Sequence, residues 1–103
     1  MERVEIGSVA VFRDLEASKA QALKPLEEAA EVFGAWQDVC DCFDDCGSCD
    51  HATYRGCVYI GDLVDECCDV ITATCNLLAA FGINDVTEAM RCCEERNRRR
   101  GRL

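Results

Sequence analysis

Proline and histidine are nearly absent from this sequence. The 103 residues include one proline, Pro25, and one histidine, His51. A single proline in a chain whose residues are half apolar predicts a compact helical protein rather than a disordered one. With one histidine, the sequence shows no Ser-His-Asp arrangement of the kind that nucleophilic hydrolases use.

Long apolar runs and glycine-rich loops are missing as well. No stretch reaches the roughly eighteen continuous apolar residues that a membrane span requires. The first residues, Met1 to Glu5, show no basic region followed by an apolar run. We therefore expect a cytoplasmic protein without a membrane partner. The absence of a Walker-type phosphate loop argues against ATP-driven work.

Charge is distributed unevenly along the chain. The net charge is −9, but residues 91–103 hold six arginines against two glutamates and carry +4, so the first ninety residues carry −13. An acidic body with a basic end does not suit nucleic acid lying along the whole surface, and we expect no such partner. This polarity suits a ligand whose metal ion binds the acids and whose phosphates bind the arginines.

Ten cysteines are present, and without an export signal we expect them to be reduced, structural or metal-binding. A segment at about residues 40–58 is rich in turn-forming residues and predicts an irregular Cys-rich insert. Four cysteines there are candidate zinc ligands: Cys42, Cys46, Cys49 and Cys57. The Cys46-x-x-Cys49 step is typical of a zinc knuckle, and His51 is an alternative fourth ligand. Because only one such knuckle is present, we favour reduced cysteines without zinc.

The sequence up to Val39 predicts two helical segments. Residues 15–23 favour a helix over roughly the second half of residues 1–22. Pro25 suits the first turn of a new helix, where its missing N–H costs nothing. That helix would run to about Val39 with an apolar stripe that includes Leu26 and Phe33. We expect its aromatic residues Phe33 and Trp36 in the core or in an interface.

Two further helices are predicted beyond the insert. One begins between Tyr59 and Asp62 and runs to Phe81, another aromatic residue expected in the core or an interface, with Gly82 as a stop signal. The other opens on Asp85-Val86-Thr87-Glu88, the spacing of a capping box, and continues to about Arg100. The five cysteines outside the insert region fall on these helices, where we expect small core or interface residues: Cys67, Cys68, Cys75, Cys92 and Cys93.

Two acidic clusters lie at helical spacing. Glu28 and Glu31 share one helix face, and so do Glu66 and Asp69. If the two helices pack together, four carboxylates converge on one small volume. Such a cluster is electrostatically unfavourable unless a hard divalent cation lies within it, and Mg²⁺ suits an all-oxygen site.

These motifs together resemble the MazG-like nucleoside triphosphate pyrophosphohydrolases. The resemblance rests on a Glu-Glu-x-x-Glu helix at residues 27–31, a Glu-x-x-Asp helix at residues 66–69 and a final Arg-Asn-x-x-Arg-Gly segment at residues 96–101. It covers most of residues 24–103. It implies hydrolysis of a nucleoside triphosphate to the monophosphate and pyrophosphate, through a water activated by metal ions.

The resemblance also implies roles for particular residues. The Mg²⁺ ligands, with Mn²⁺ as a substitute, would be Glu28, Glu31, Glu66 and Asp69. Glu27 would either support the metal ligands from outside their set or orient the attacking water. The nucleotide would be contacted by Arg96, Asn97 and Arg100. With Glu27, the acids Glu28 and Glu66 would form the catalytic set.

The implied fold is all-α, a small helical bundle of the MazG-like type formed by one domain over residues 1–103. The family assembles as dimers or dimers of dimers, so we expect a homodimer or homotetramer that completes the bundle. The thirty-four residues between Glu31 and Glu66 form a longer gap than the family commonly has. The region before the first acidic motif is shorter, which increases the need for a partner subunit.

Two other functions compete with this interpretation. The chain would be a non-enzymatic metal-binding or regulatory module if the Cys-rich insert were its functional part and the acids only a solvated surface. A carboxylate-bridged di-iron bundle is a weaker alternative, since such sites carry Glu-x-x-His pairs and neither acidic motif has a histidine.

Overall fold

The computed structural model describes residues 2–45 and 56–103, which form three α-helices and no strand. The helices are α1 (Lys19–Asp45), α2 (Val58–Ala80) and α3 (Thr87–Arg99). The expectation of an all-α protein is therefore confirmed for these residues. None of these helices is both long enough and apolar enough to cross a membrane.

Helices α1 and α2 pack along each other as a hairpin. Cys42 and Cys57 meet at the end where the two helices are connected, and Glu31 lies beside Glu66 farther along. Moving away from the connection, residue numbers fall along α1 and rise along α2. The two helices are therefore antiparallel, and side chains along their shared face meet in a fixed register.

Helix α1 differs from the sequence prediction at both ends. It begins at Lys19 because Ser18 caps it, its hydroxyl oxygen accepting a hydrogen bond from the Gln21 N–H at 3.2 Å. Pro25 therefore lies inside a continuous helix instead of opening a new one. The strong helix formers before it outweigh the one hydrogen bond that proline removes. The helix also continues past Val39 to Asp45, so residues 40–45 of the predicted irregular insert are helical. Residues 46–55 of that insert lie outside the described residues.

Helices α2 and α3 lie close to their predicted bounds, but the predicted capping box at the start of α3 is wrong. Helix α2 ends before Gly82, whose φ of +77° is accessible to glycine without steric cost. At the start of α3, the Asp85 carboxylate accepts hydrogen bonds from the N–H and the hydroxyl of Thr87. Glu88 pairs with Arg91 rather than completing a capping box.

An extended N-terminal segment joins α2 to α3. The side chain of Asn76 is completely buried; its oxygen accepts from the Phe12 N–H at 2.8 Å and its amide donates to the Ala10 carbonyl at 3.1 Å. Farther back along this segment, Arg3 forms an ion pair with Glu94 of α3 at 2.7 Å. Residues 2–12 thus connect two helices that do not pack on each other.

Very little apolar surface is buried within one chain. Among the described residues, the only buried apolar side chains are Val39, Cys42, Cys57 and Ala73. Leu26, Phe33 and Trp36 are exposed on the face of α1 that points away from α2, although the two aromatic rings stack at 5.7 Å. These aromatic residues and Phe81 are therefore not core residues of a single chain.

The five cysteines on α2 and α3 are not core residues either. Cys67, Cys68 and Cys92 are exposed, and Cys75 and Cys93 are half-buried. The part of the prediction that placed them in a core is wrong for the described part of the chain, because none of the five is buried there. Their place in an interface stays a prediction.

Candidate metal centre

Three carboxylates meet between the two helices of the hairpin. Glu28 and Glu31 come from α1, one turn apart, and Glu66 comes from α2. One oxygen from each lies within 4.8 Å of the others. Asp69, one turn along α2 from Glu66, is close enough to interact electrostatically with Glu28 and Glu66. We refer to Glu28, Glu31 and Glu66 as the acidic triad.

Desolvation and mutual repulsion change the acidity of the triad. The pKa of Glu28 is raised, first by its partial burial and then by the neighbouring charges of Glu31 and Asp69. The pKa of Glu66 is raised by the same desolvation, by a hydrogen bond with Glu31 and by the charges of all three neighbouring acids. The triad therefore resists full ionisation in the absence of a counter-charge.

Interactions among the carboxyl groups favour their protonated forms. Glu31 lies close enough to Glu28 and Glu66 for hydrogen bonding, which raises the pKa of both partners. Two ionised carboxylates have only acceptor oxygens, so a hydrogen bond between them forms only when one of them carries a proton. A cation bound by the triad would take the place of such a proton.

One oxygen of the triad is left without a partner. Glu66 Oε2 is buried and accepts no hydrogen bond within the described residues. A buried acceptor of this kind costs free energy unless a donor or a cation satisfies it. The atoms that could bind a metal ion here are all oxygens, which suits Mg²⁺. Two oxygens bound to one Mg²⁺ lie at most about 4.2 Å apart, whereas those of the triad lie within 4.8 Å of one another. The triad therefore fits a divalent cation after a small closure.

Glu27 lies next to the triad in sequence but not in space. Its carboxylate pairs with Lys24 at 3.4 Å, and its side chain is 60 % exposed. Because successive helix residues point about 100° apart, Glu27 and Glu28 cannot both face α2. The structure therefore brings together three of the five predicted acids, with Asp69 at the edge and Glu27 outside.

The arginines of α3 fall into two groups by their partners. Arg91, Arg98 and Arg99 each pair with a glutamate three or four residues earlier on the same helix. Arg96 and Arg100 form no ion pair within the described residues, and they lie one turn apart on one exposed face. Among the arginines at residues 91–100, these two predicted nucleotide contacts are therefore the ones whose charge has no ion-pair partner in the described part of the chain.

Asn97 is held by its own helix. Its amide donates to the Cys93 carbonyl at 3.1 Å, and its oxygen accepts from Arg102 at 3.0 Å. It lines a groove of about 650 Å³ between α3 and the first residues of the chain. Since α3 packs against neither α1 nor α2 in the described part of the chain, one copy does not bring Asn97 to the triad.

Two of the four predicted zinc ligands are described. The sulfur atoms of Cys42 and Cys57 lie 3.7 Å apart, and both side chains are buried. The other two, Cys46 and Cys49, and the alternative ligand His51, lie outside the described residues.

The sequence reasoning assigned no role to Asn76, although it is the one completely buried polar side chain of the described residues. It positions the N-terminal segment rather than the triad, since its partners are Phe12, Ala10 and Thr72. In the sequence, Asn76 differs from its neighbours only as a polar residue at an apolar helical position. That pattern does not predict which groups it bonds with.

Comparisons with known proteins yield no relative: no family model, curated protein or solved structure matches this chain. The MazG-like resemblance therefore rests on the three motifs, and the case for a metal site rests on the geometry of the triad.

Proposed function

We propose that this chain is a Mg²⁺-dependent nucleotide pyrophosphohydrolase of the MazG-like kind, which hydrolyses a nucleoside triphosphate to the monophosphate and pyrophosphate. The observation that carries the proposal is the convergence of Glu28, Glu31 and Glu66 around the unpartnered oxygen Glu66 Oε2. Two features support it: the order of the three motifs along the chain, and the unpaired state of Arg96 and Arg100.

The triad residues have distinct tasks in this scheme. Glu31 interacts with both other carboxyls, so it would join them around a common cation. Glu66 presents its buried oxygen to the cation, and Asp69 adds negative charge at the open side. Bound Mg²⁺ would neutralise the phosphate oxygens and help to generate the attacking hydroxide near neutral pH.

The raised pKa values give the triad a further role. Glu28 and Glu66 retain protons more readily than ordinary glutamates, so they release protons when a cation enters. Affinity for the cation should therefore rise with pH. No side-chain nucleophile is needed, because phosphoryl transfer depends mainly on positioning and charge stabilisation.

The arginines act on the other end of the substrate. Arg96 and Arg100 present two guanidinium groups, and guanidinium binds phosphate oxygens with two parallel hydrogen bonds. In the part of one chain that the structure describes, α3 packs against neither helix of the hairpin. We therefore place the nucleotide between the triad of one copy and α3 of a second copy.

The large total exposed surface supports a homodimer. One chain exposes 8022 Å², whereas a compact monomer of 11.4 kDa exposes about 5,800 Å². Its radius of gyration is 16.5 Å, against about 13 Å for a compact chain of this length. The excess surface is more than the roughly 800 Å² per partner that a stable interface buries. A homotetramer would bury still more of it.

The apolar stripe of α1, which consists of Leu23, Leu26, Phe33 and Trp36, is the surface we assign to this interface. Substitution of Phe33 by Asp should dissociate the dimer, because a charge would be buried against apolar side chains. Light scattering coupled to size exclusion would measure the mass. The matched control is Val4→Asp, on an exposed N-terminal valine. A monomeric wild-type protein at micromolar concentration would contradict the assignment.

The activity itself is tested by pyrophosphate release from a panel of ribo- and deoxyribonucleoside triphosphates, with and without Mg²⁺. The proposal expects Mg²⁺-dependent turnover that Glu66→Gln abolishes. Glu88→Gln is the matched control, since Glu88 lies on α3 and pairs with Arg91. No turnover of any nucleotide by the folded wild-type protein would overturn the proposal in favour of the metal-binding module.

A further inference from the structure

Helix α3 depends on the N-terminal segment, residues 2–12, for its position. In the described part of the chain it packs against neither α1 nor α2. Residues 81–86 join it to α2, and the N-terminal segment lies alongside it. A helix of 13 residues is only marginally stable alone in water, so these attachments decide where α3 lies.

One end of the N-terminal segment is fixed to α2 by buried hydrogen bonds. The completely buried side chain of Asn76 accepts from the Phe12 N–H at 2.8 Å and donates to the Ala10 carbonyl at 3.1 Å. Separating buried groups of this kind leaves them without partners, which is unfavourable. Residues 10–12 are therefore the firmly held end of the segment.

The other end of the segment is held on α3. Arg3 Nη1 lies 2.7 Å from Glu94 Oε1, and the Glu94 side chain is only 28 % exposed. The hydrogen bond from Arg3 is the main cause of the lowered pKa of Glu94. Val4 of the segment lines one groove together with Met90 and Asn97 of α3. The segment thus meets the face of α3 that carries Met90, Glu94 and Asn97.

The two unpaired arginines lie on a different face of α3. Successive helix residues are rotated by about 100°, so Arg96 lies about 200° around the helix axis from Glu94, and Arg100 about 240°. The N-terminal segment therefore holds α3 from the side away from these arginines, and both remain exposed. Any rotation of α3 would move both guanidinium groups relative to a phosphate that they bind.

We propose that the N-terminal segment orients α3 for nucleotide binding, and that Arg3 is the positioning residue that acts through Glu94. The segment fixes α3 relative to its own hairpin, so that Arg96 and Arg100 of one copy reach the nucleotide at the triad of the other. This inference rests on the proposed pyrophosphohydrolase function and adds to it the residues that orient the phosphate-binding helix. Arg3 itself is engaged with Glu94 rather than with the nucleotide.

Steady-state kinetics of Arg3→Glu test the positioning role. The reversed charge places two anions together at Glu94 and should release this end of the segment. KM for the nucleoside triphosphate should rise about threefold, the size of effect expected for one exposed ion pair. The value of kcat should not change, because α3 contributes binding rather than chemistry. Mg²⁺ affinity should not change either, because the triad lies on the hairpin.

Two further variants separate positioning from other effects. Arg3→Lys keeps the positive charge and should restore KM to near the wild-type value. Arg13→Glu makes the same change of net charge at an exposed residue just beyond the segment, and it should leave KM unchanged. Equal increases of KM in Arg3→Glu and Arg13→Glu would assign the effect to net charge and overturn the positioning role.

Amide hydrogen exchange of α3 provides a measurement that does not depend on turnover. Arg3→Glu should speed exchange at residues 87–99 about threefold and leave α1 and α2 unchanged, since only α3 loses an attachment. Arg13→Glu should leave all three helices unchanged. Unaltered exchange of α3 in Arg3→Glu would show that the ion pair does not hold the helix, and it would overturn the inference.

Failure of this inference can be told apart from failure of the proposed function. Wild-type turnover with an unchanged KM in Arg3→Glu would overturn the positioning role alone. Absence of wild-type turnover on every nucleotide would overturn both. Faster exchange of α3 in Arg3→Glu would then show only that Arg3 holds the helix, without a role in nucleotide binding.

Discussion

The acids of the hairpin and the acids of α3 differ in what neutralises them. Glu88, Glu94 and Glu95 lie next to arginines, and hydrogen bonds from Arg91 and Arg3 lower the pKa values of Glu88 and Glu94. The pKa values of Glu28 and Glu66 are raised, because both carboxyls are partly desolvated and lie next to other acids. The acids of α3 are neutralised by arginines of the same chain. The acids of the hairpin would need a bound cation to neutralise them.

This contrast explains why the hairpin is the better candidate for function. Paired surface acids are an ordinary means of stabilising a helix, and each contributes little. A cluster of acids without cations opposes folding, and it is retained where a ligand gives it a use. The triad is close to such a cluster, since Lys24 is the one cation acting on Glu28 and the weakest of the influences on its pKa. Most of the α3 acids, in contrast, pair with arginines. The exceptions on α3 and at its C-terminal end are Arg96 and Arg100, which have no glutamate partner and can bind an anionic ligand.

The largest loss of activity is expected from a substitution of Glu31, which interacts with both other acids of the triad. Glu31→Gln removes the charge that contacts both other carboxyls, so we expect at least about a hundredfold loss of Mg²⁺-dependent turnover. Glu27→Gln is the matched control on the same helix, and it should change turnover only a few fold because Glu27 pairs with Lys24. Steady-state kinetics measure both. Equal losses in the two variants would contradict the distinction between Glu31 and Glu27.

A smaller effect is expected for the unpaired arginines. Arg100→Gln should raise KM about tenfold by removing a phosphate contact, the equivalent of one charge-assisted hydrogen bond. Arg98→Gln should leave KM nearly unchanged, since Arg98 is engaged with Glu95 at 2.6 Å. The reverse order of the two effects would remove the case for Arg100 as a nucleotide contact.

Asn76 tests whether the two regions depend on each other. Asn76→Ala leaves the Phe12 N–H and the Ala10 carbonyl without their partner, and should destabilise the protein by about 1–3 kcal/mol. Chemical denaturation measures the loss, and faster amide exchange at Phe12 would locate it. Mg²⁺ affinity should not change. A parallel loss of Mg²⁺ affinity would show that the triad depends on the N-terminal segment.

The smallest effect concerns pH and has opposite signs in the two regions. Glu66 binds its proton more tightly when folded, so in EDTA its contribution to stability falls as pH rises above the ordinary pKa of 4.5. Glu94 has a lowered pKa, so its contribution is present above 4.5 and lost as pH falls through the folded value. Exposure to solvent keeps both effects modest.

Melting curves from pH 4 to 8 test these signs. Relative to wild type, Glu66→Gln should gain stability as the pH rises above about 4.5. Glu94→Gln should lose relative stability as the pH rises toward about 4.5 and then stay level. Parallel pH profiles for the two variants would mean that the acids of the hairpin and of α3 do not differ.

The sequence predicted α2 and α3 well because both have clear stop signals and sustained helical spacing. Gly82 and Gly101 adopt positive φ values just beyond these helices. The start of α1 was mispredicted because Pro25 is a conspicuous helix-start signal, whereas the cap at Ser18 is an ordinary serine that only its hydrogen bond reveals. Ser18 and Pro25 are both possible helix starts by sequence, and only the folded structure shows which of them is used.

The convergence of Glu28, Glu31 and Glu66 followed from helical spacing and an assumed hairpin. Helical spacing could not predict that Glu27 lies outside the triad and Asp69 at its edge. Those positions depend on the rotation of each helix and on the register between the two helices. Asn76 escaped prediction because its partners are backbone atoms 64 and 66 residues away. Contacts over such distances arise only from the assembled fold.

The central claim is that the triad exchanges its protons for a divalent cation, and calorimetry tests it most directly. Mg²⁺ is titrated into wild type, Glu66→Gln and the control Glu88→Gln in two buffers of different ionisation enthalpy. We expect binding with net proton release for wild type and Glu88→Gln, and binding weakened at least about tenfold for Glu66→Gln. Equal Mg²⁺ affinity in all three proteins, or no binding by the wild type, would contradict it.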